Sequence, residues 1–222
     1  MKQSARRSPR FPWLATRTAK WVVGCFLALP LLFILNAVVM EFRLPGSGLG
    51  PDPGQELVER LGDWAIRMLC FTLAISTLSR LLKVPLLVQH RRTFGLWAFT
   101  YVCLHFIGYA VTLAGLDITT IFGDFTKRPY IIFGLIALSL MIPMAITSTR
   151  GWRRKLGLNW RRLHRVVYII AVCAVIHLWL QERASIQETL LYGSILSLLL
   201  IERLVRWITK LVQRKNYASS TN

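Results

Sequence analysis

WVVGCFLALPLLFILNAVVM, residues 21–40, runs twenty residues without a charge. At 1.5 Å rise per residue a helix of that length crosses about 30 Å, the thickness of a bilayer's hydrocarbon core. The block is too long for the apolar part of a secretory leader and has no small-residue cleavage site, so it reads as a retained first span. Working outward, five more apolar blocks follow, at residues 64–82, 94–113, 130–149, 163–180 and roughly 189–208. The fifth is short. The sixth carries Glu202, Arg203 and Arg206 near its end, where long side chains can snorkel to an interface. Pro30 and Pro143 fall inside the first and fourth blocks and are expected to kink them. The expectation is an all-α, polytopic integral membrane bundle of six transmembrane helices. A basic segment at 1–20 precedes the transmembrane domain at 21–208, and a tail follows at 209–222. No repeat or low-complexity segment is evident, and Gly46-Ser-Gly-Leu-Gly50 before Pro51-Asp-Pro reads as a turn.

The connecting segments alternate in charge. Lys and Arg number six in residues 1–20, four in 80–93, seven in 150–165 and five in 203–222. The intervening segments 41–63, 114–129 and 181–188 carry two, two and one, with five, two and two acidic residues. Positive charge is retained on the cytoplasmic side, so both termini and the 2–3 and 4–5 loops are expected there. The same pattern explains the net charge of +18, which composition alone could have assigned to nucleic-acid binding. Cys25, Cys70, Cys103 and Cys173 each lie within an apolar block without a CxxC spacing, as small apolar residues do.

Ionisable side chains inside a membrane are costly, so they are the first candidates for chemistry. His105 lies eleven residues into the third block, and His177 stands thirteen beyond His164 on the fifth. Both blocks run from the cytoplasmic side outward, which places His105 and His177 at similar depth toward the outer side and His164 at the cytoplasmic mouth. Two neutral imidazoles at one depth on facing helices can ligate a haem iron from both sides. A lone histidine there could equally hydrogen-bond a neighbouring helix. A second haem is harder to build. Thirteen residues leave His164 and His177 about 140° apart around an ideal helix. The residue fourteen before His105 is Arg91, which could pair with a haem propionate or with a lipid headgroup. The basic cluster from Arg150 to Arg165 is mainly topogenic, and could also dock an acidic partner or a phosphate-bearing cofactor.

Several strings resemble the MsrQ (YedZ) family. They are Gly48-Leu-Gly-Pro-Asp-Pro53, Arg91-Arg-Thr-Phe-Gly-Leu-Trp97, Tyr101-Val-Cys-Leu-His105, Thr126-Lys-Arg-Pro-Tyr130, Thr147-Ser-Thr149 and Lys155-Leu-Gly-Leu-Asn-Trp-Arg-Arg-Leu-His164-Arg-Val-Val-Tyr168. The resemblance runs from about residue 45 to 210. It implies a ferric reductase-like transmembrane domain in the bacterial inner membrane. The implied role is the haem-binding subunit of a system that repairs oxidised methionine in periplasmic proteins. The implied cofactors are haem b, one or two per chain, and FMN. The implied partner is a periplasmic molybdopterin-containing sulfoxide reductase subunit, which carries out the reduction. The family's ligand histidines match His105, His164 and His177, and His90 is outside that pattern. Related oxidases place a histidine where Arg91 stands, which sets this chain apart at a second haem site.

On this reading electrons come from a cytosolic flavin reductase or a membrane quinol, because the chain has no nicotinamide-binding domain. They enter near His164 and leave toward the outer side past His105 and His177. The alternatives are a ferric reductase-like carrier with another acceptor, and a cofactor-free transporter or assembly factor that uses the histidines as proton or substrate sites.

Overall fold

A computed structural model describes residues 11–181 and 186–220. The first ten residues of the basic N-terminal segment, residues 182–185 of the sixth connecting segment and the last two of the tail lie outside that range. The described residues form helices joined by short loops, without a strand. The helices are α1 (Arg17–Arg43), α2 (Pro53–Leu81), α3 (Arg91–Gly108), α4 (Ile118–Lys127), α5 (Pro129–Ile146), α6 (Arg150–Leu156), α7 (Leu158–Leu163), α8 (Val167–Leu180) and α9 (Ile186–Ser220). A π-helical turn, Tyr109–Leu113, continues α3, and a 3₁₀ turn, His164–Val166, joins α7 to α8.

Five stretches are long and apolar enough to cross a membrane: Arg17–Arg43, Pro53–Leu81, Pro85–Leu113, Pro129–Ile146 and Leu158–Leu180. The sixth long helix, α9, is 35 residues. It carries Glu202, Arg203 and Arg206; Arg206 pairs with Glu202 within the helix at 2.7 Å, and the other two reach its neighbours. Glu202 accepts from Arg80 at 2.7 Å and from Thr77 at 3.1 Å, both on α2. Arg203 donates to the carbonyl of Leu73 and lies over the Tyr168 ring. Nearer the other end of the pair, Arg67 of α2 donates to the Tyr192 hydroxyl at 2.7 Å. The pairs 67–192 and 77–202 share one offset, so α9 runs parallel to α2.

One boundary differs from the sequence expectation. α2 begins at Pro53, eleven residues before the apolar block. Asp52 caps it by accepting from the Gln55 amide at 3.1 Å, with Pro53 in the first turn, where no amide is needed. Its 29 residues span about 44 Å, more than the hydrocarbon thickness, so the helix extends past the slab. Ahead of α2, the Glu41 carboxylate gathers the amides of Gly46, Gly48 and Leu49 at 2.6, 3.1 and 2.8 Å. A Cβ on Gly48 would fall 2.0 Å from the Ala37 carbonyl, so only glycine permits this close return of the chain.

Lipid tails are as apolar as leucine, so contact between these helices depends on packing and hydrogen bonds rather than on escape from water. Large apolar side chains accordingly face outward, among them Trp21, Phe26, Phe33 and Phe42 of α1. The interior gathers around Met68, Leu73, Tyr101, Ile170 and Leu196, all nearly inaccessible. Tyr101 packs beside Trp64 and Trp97 and donates to the Leu27 carbonyl at 3.1 Å, which fixes α3 to α1. All four cysteines are free. Cys70 and Cys173 are buried, Cys103 is half-buried and Cys25 is exposed on α1.

Candidate functional site

α2 and α3 form one antiparallel hairpin and α5 and α8 another, and each carries one histidine to the same place. The His105 and His177 ring centres are 6.2 Å apart with planes at 85°. An imidazole nitrogen sits about 2 Å from a first-row metal ion and the ring centre roughly 1 Å beyond, so axial rings on one ion stand about 6 Å apart. The observed separation fits that arrangement.

The two hairpins repeat one device. His105 Nδ1 hydrogen-bonds the Val58 carbonyl at 2.8 Å, and His177 Nδ1 hydrogen-bonds the Tyr130 carbonyl at 2.7 Å. The sequence separation is 47 in both cases. A carbonyl only accepts, so each Nδ1 carries the proton and each Nε2 keeps a lone pair for a metal. One helical turn past each carbonyl stands a glycine. A Cβ on Gly62 would come within 3.0 Å of the His105 ring, and one on Gly134 within 3.1 Å of the His177 ring. The carbonyl, the glycine and the histidine therefore recur at a shift of 72, as Val58, Gly62, His105 and Tyr130, Gly134, His177. This corrects the expectation that the chain holds no repeat. The repeat lies in how each ring is seated, and only two of its three components are side-chain identities.

Both rings line a cavity of about 770 Å³, within the roughly 300–1,000 Å³ range of small-molecule and cofactor sites. Its inner walls are apolar, from Ala98, Val102, Ala137, Met141 and Ala174. Its mouth is polar, with Gln55, Glu56, Glu59, Arg60 and Asp63 from α2, Lys127 and Arg128 before α5, and Gln181 and Glu188. No group of three or more His, Cys, Asp or Glu able to hold a metal ion occurs among the described residues. Two imidazoles alone do not complete a coordination sphere, so this donor set suits a metal that brings its own equatorial ligands.

His164 is elsewhere. It opens the 3₁₀ turn at the far end of α8, about 20 Å from His177 by helical rise. Its ring stacks on Trp160 at 3.9 Å and its Nδ1 hydrogen-bonds the Trp160 carbonyl at 3.1 Å. Trp160 in turn donates to the Thr147 carbonyl at 3.0 Å. Arg91 is the first residue of α3, at that same basic end. Neither Arg91 nor His164 lines the cavity between the paired histidines. His90 is buried, with Nε2 3.1 Å from the Leu14 carbonyl, and it holds the turn Pro12–Ala15 against the bundle. Arg67 is engaged by Tyr192 and by Asp63 at 3.0 Å, with its guanidinium over Trp64.

A helical membrane bundle with a histidine pair between two hairpins defines a class, and the family model described as "Ferric reductase like transmembrane component" matches residues 61–175. Among curated relatives, the "Protein-methionine-sulfoxide reductase heme-binding subunit MsrQ" of Xanthomonas campestris pv. campestris (strain 8004) is 46% identical over 155 residues, 69% of this chain and 71% of the relative. The protein of that name from Caulobacter vibrioides is 40% identical over 165 residues, 74% of this chain and 79% of its own length. The chain belongs to the MsrQ family, as the sequence strings implied.

Proposed function

We propose that this chain is the membrane cytochrome subunit of a methionine sulfoxide reductase system, with haem b seated between His105 and His177. The observation that carries this is the paired seat itself. Two imidazoles from symmetry-related hairpins stand 6.2 Å apart, each with Nδ1 tied to a backbone carbonyl, over a cavity of about 770 Å³. The names of the relatives support the same choice of cofactor. When bound, haem supplies a one-electron iron couple inside a low-dielectric slab. The chain supplies the rest. The Val58 and Tyr130 carbonyls orient the two rings and raise their basicity as ligands. Gly62 and Gly134 leave the rings room, and the apolar walls exclude water.

The direction of transfer follows from charge. The basic loops at 80–93 and 150–165 support a reading in which one end of the bundle, with both termini, lies on the cytoplasmic side of a bacterial inner membrane. The paired histidines then lie toward the periplasmic side. There the polar mouth at Glu56 to Asp63, Lys127 and Arg128 faces a molybdopterin-containing sulfoxide reductase subunit. The basic end receives electrons from a cytosolic flavin reductase or a membrane quinol. Its seven Lys and Arg between 150 and 165 suit an acidic donor or the phosphate of FMN. Any second haem belongs at that end, with His164 as its histidine and Arg91 beside it.

The test is the reduced-minus-oxidised absorption spectrum of the detergent-purified protein, with pyridine-haemochrome quantitation. A b-type spectrum with one haem per chain is the expected result, and two would place the second at His164. Purified protein that takes up no haem when haem is supplied would overturn the reading and favour a transporter or assembly factor.

A further inference from the structure

The string Thr126-Lys-Arg-Pro-Tyr130 has a role that the histidine seat does not use up. Tyr130 gives the carbonyl that orients His177, and the two residues before Pro129 place cations on the wall of the same cavity. Arg128 is two residues from Tyr130, so its Cα is within about 7 Å of that backbone and its long side chain reaches the cavity mouth.

The charges at the mouth are not equally committed. Glu56 is paired with Arg60 at 2.7 Å. Glu59 accepts from Gln55 at 2.6 Å. Asp63 and Glu188 both face Arg67, at 3.0 and 4.0 Å. Each carboxylate on this wall therefore has a donor, and Arg60 and Arg67 are engaged in supplying them. Arg128 has only the longer contact to Asp124, at 3.6 Å through Nε, and Asp124 also accepts from the Tyr109 hydroxyl at 2.7 Å. Lys127 makes no ion pair among the described residues. Two cations with donors to spare thus stand on a cavity whose walls are otherwise apolar or already paired.

We propose that Lys127 and Arg128 form the carboxylate-binding end of the cavity. This rests on the haem reading above, and it adds an orientation: the propionate edge of the haem faces this mouth and not the basic end that holds Arg91. Charge-assisted hydrogen bonds from an ammonium and a guanidinium to two carboxylates are the strong kind, and at the slab boundary they keep the acid groups near water while the ring stays in the apolar part.

Iron protoporphyrin IX and its dimethyl ester separate the possibilities, because the ester has the same ring and iron without the acid charges. Both are titrated into full-length apoprotein in detergent and followed by the Soret band. The wild type is expected to bind the diacid roughly ten-fold or more tightly than the diester. The double variant Lys127→Gln/Arg128→Gln is expected to lose that preference while binding the diester as the wild type does, which also shows that its histidine seat is intact. Lys127→Arg should keep the preference. Should the double variant misfold, the single variants Lys127→Gln and Arg128→Gln are each expected to lose part of it. A wild type that binds both compounds equally, or a variant that keeps the full preference or loses affinity for both compounds together, would overturn the inference while leaving the haem reading in place. Wild-type protein that binds neither compound would overturn both.

Discussion

The two ends of this bundle each present a histidine, His177 on α8 and His164 in the 3₁₀ turn that leads into it, and their surroundings differ in kind. His177 has a counterpart, His105, in the other hairpin, and both rings rest on the same carbonyl-and-glycine seat. His164 stacks on Trp160 of the adjoining short helix, and the opposite hairpin offers Arg91 at that end. A buried imidazole becomes a ligand through what fixes its tautomer and what faces it, and the two similarly built hairpins supply both at one end only. The same contrast separates the charges. At the basic end they run in an uninterrupted cluster, whereas at the mouth near the paired histidines acids and bases alternate and are mostly paired.

The largest expected effect comes from breaking the pair. His105→Ala and His177→Ala should each lower bound haem at least about ten-fold, as removal of a first-row metal ligand and its oriented partner does. Haem retention in both variants, measured by pyridine haemochrome, would remove the ligand assignment. Next come the seats. Gly62→Val and Gly134→Val each drive a side chain into a histidine ring, and they should reduce haem per chain several-fold and to a similar degree. A large effect at one glycine and none at the other would break the symmetry between the hairpins. Smaller still is the effect of the unpaired histidine. His164→Ala should leave the spectrum of the haem proposed between His105 and His177 within about 20% of wild-type intensity. An equal loss there would merge the two ends into one site.

The smallest effect concerns α4, which leads into Lys127. Asp117 caps this helix and its carboxyl is held down to about 2, from an ordinary 3.8, chiefly by hydrogen bonds from the Thr119 and Thr120 side chains, then by their amides. A carboxyl with a depressed value adds stability that is complete above its ordinary range and is lost as pH falls through the folded value. The Thr119 and Thr120 amide resonances in detergent micelles should therefore shift with a midpoint near pH 2. A midpoint near the ordinary value would mean that the cap is not formed in solution.

Most of the fold was legible because the bilayer imposes a simple length rule on apolar blocks. The rule fails where a helix outgrows the slab. The start of α2 was missed because its first turns, with Glu56, Glu59, Arg60 and Asp63, look like a loop to hydropathy, although Asp52-Pro53 is a helix start by its capping chemistry. In α9 Glu202 is paired with Arg80 of α2 across the interface, which no single segment reveals. The paired histidines stood out because ionisable residues are rare in apolar blocks. Their seats did not, because half of each is a backbone carbonyl, which has no sequence signature. The one visible trace is glycine forty-three residues before each histidine, Gly62 before His105 and Gly134 before His177. Lys127 and Arg128 looked like two more loop charges, and only the cavity showed where they point.

The most direct test is low-temperature electron paramagnetic resonance of the oxidised, haem-loaded protein, compared with His105→Gly and His177→Gly, each with and without added imidazole. The account predicts a low-spin signal from two imidazoles in the wild type, its loss in both variants, and its return in both when free imidazole fills the vacated side. An unchanged low-spin signal in either glycine variant without imidazole would contradict it, since a ligand other than the His105 and His177 pair would then be holding the iron.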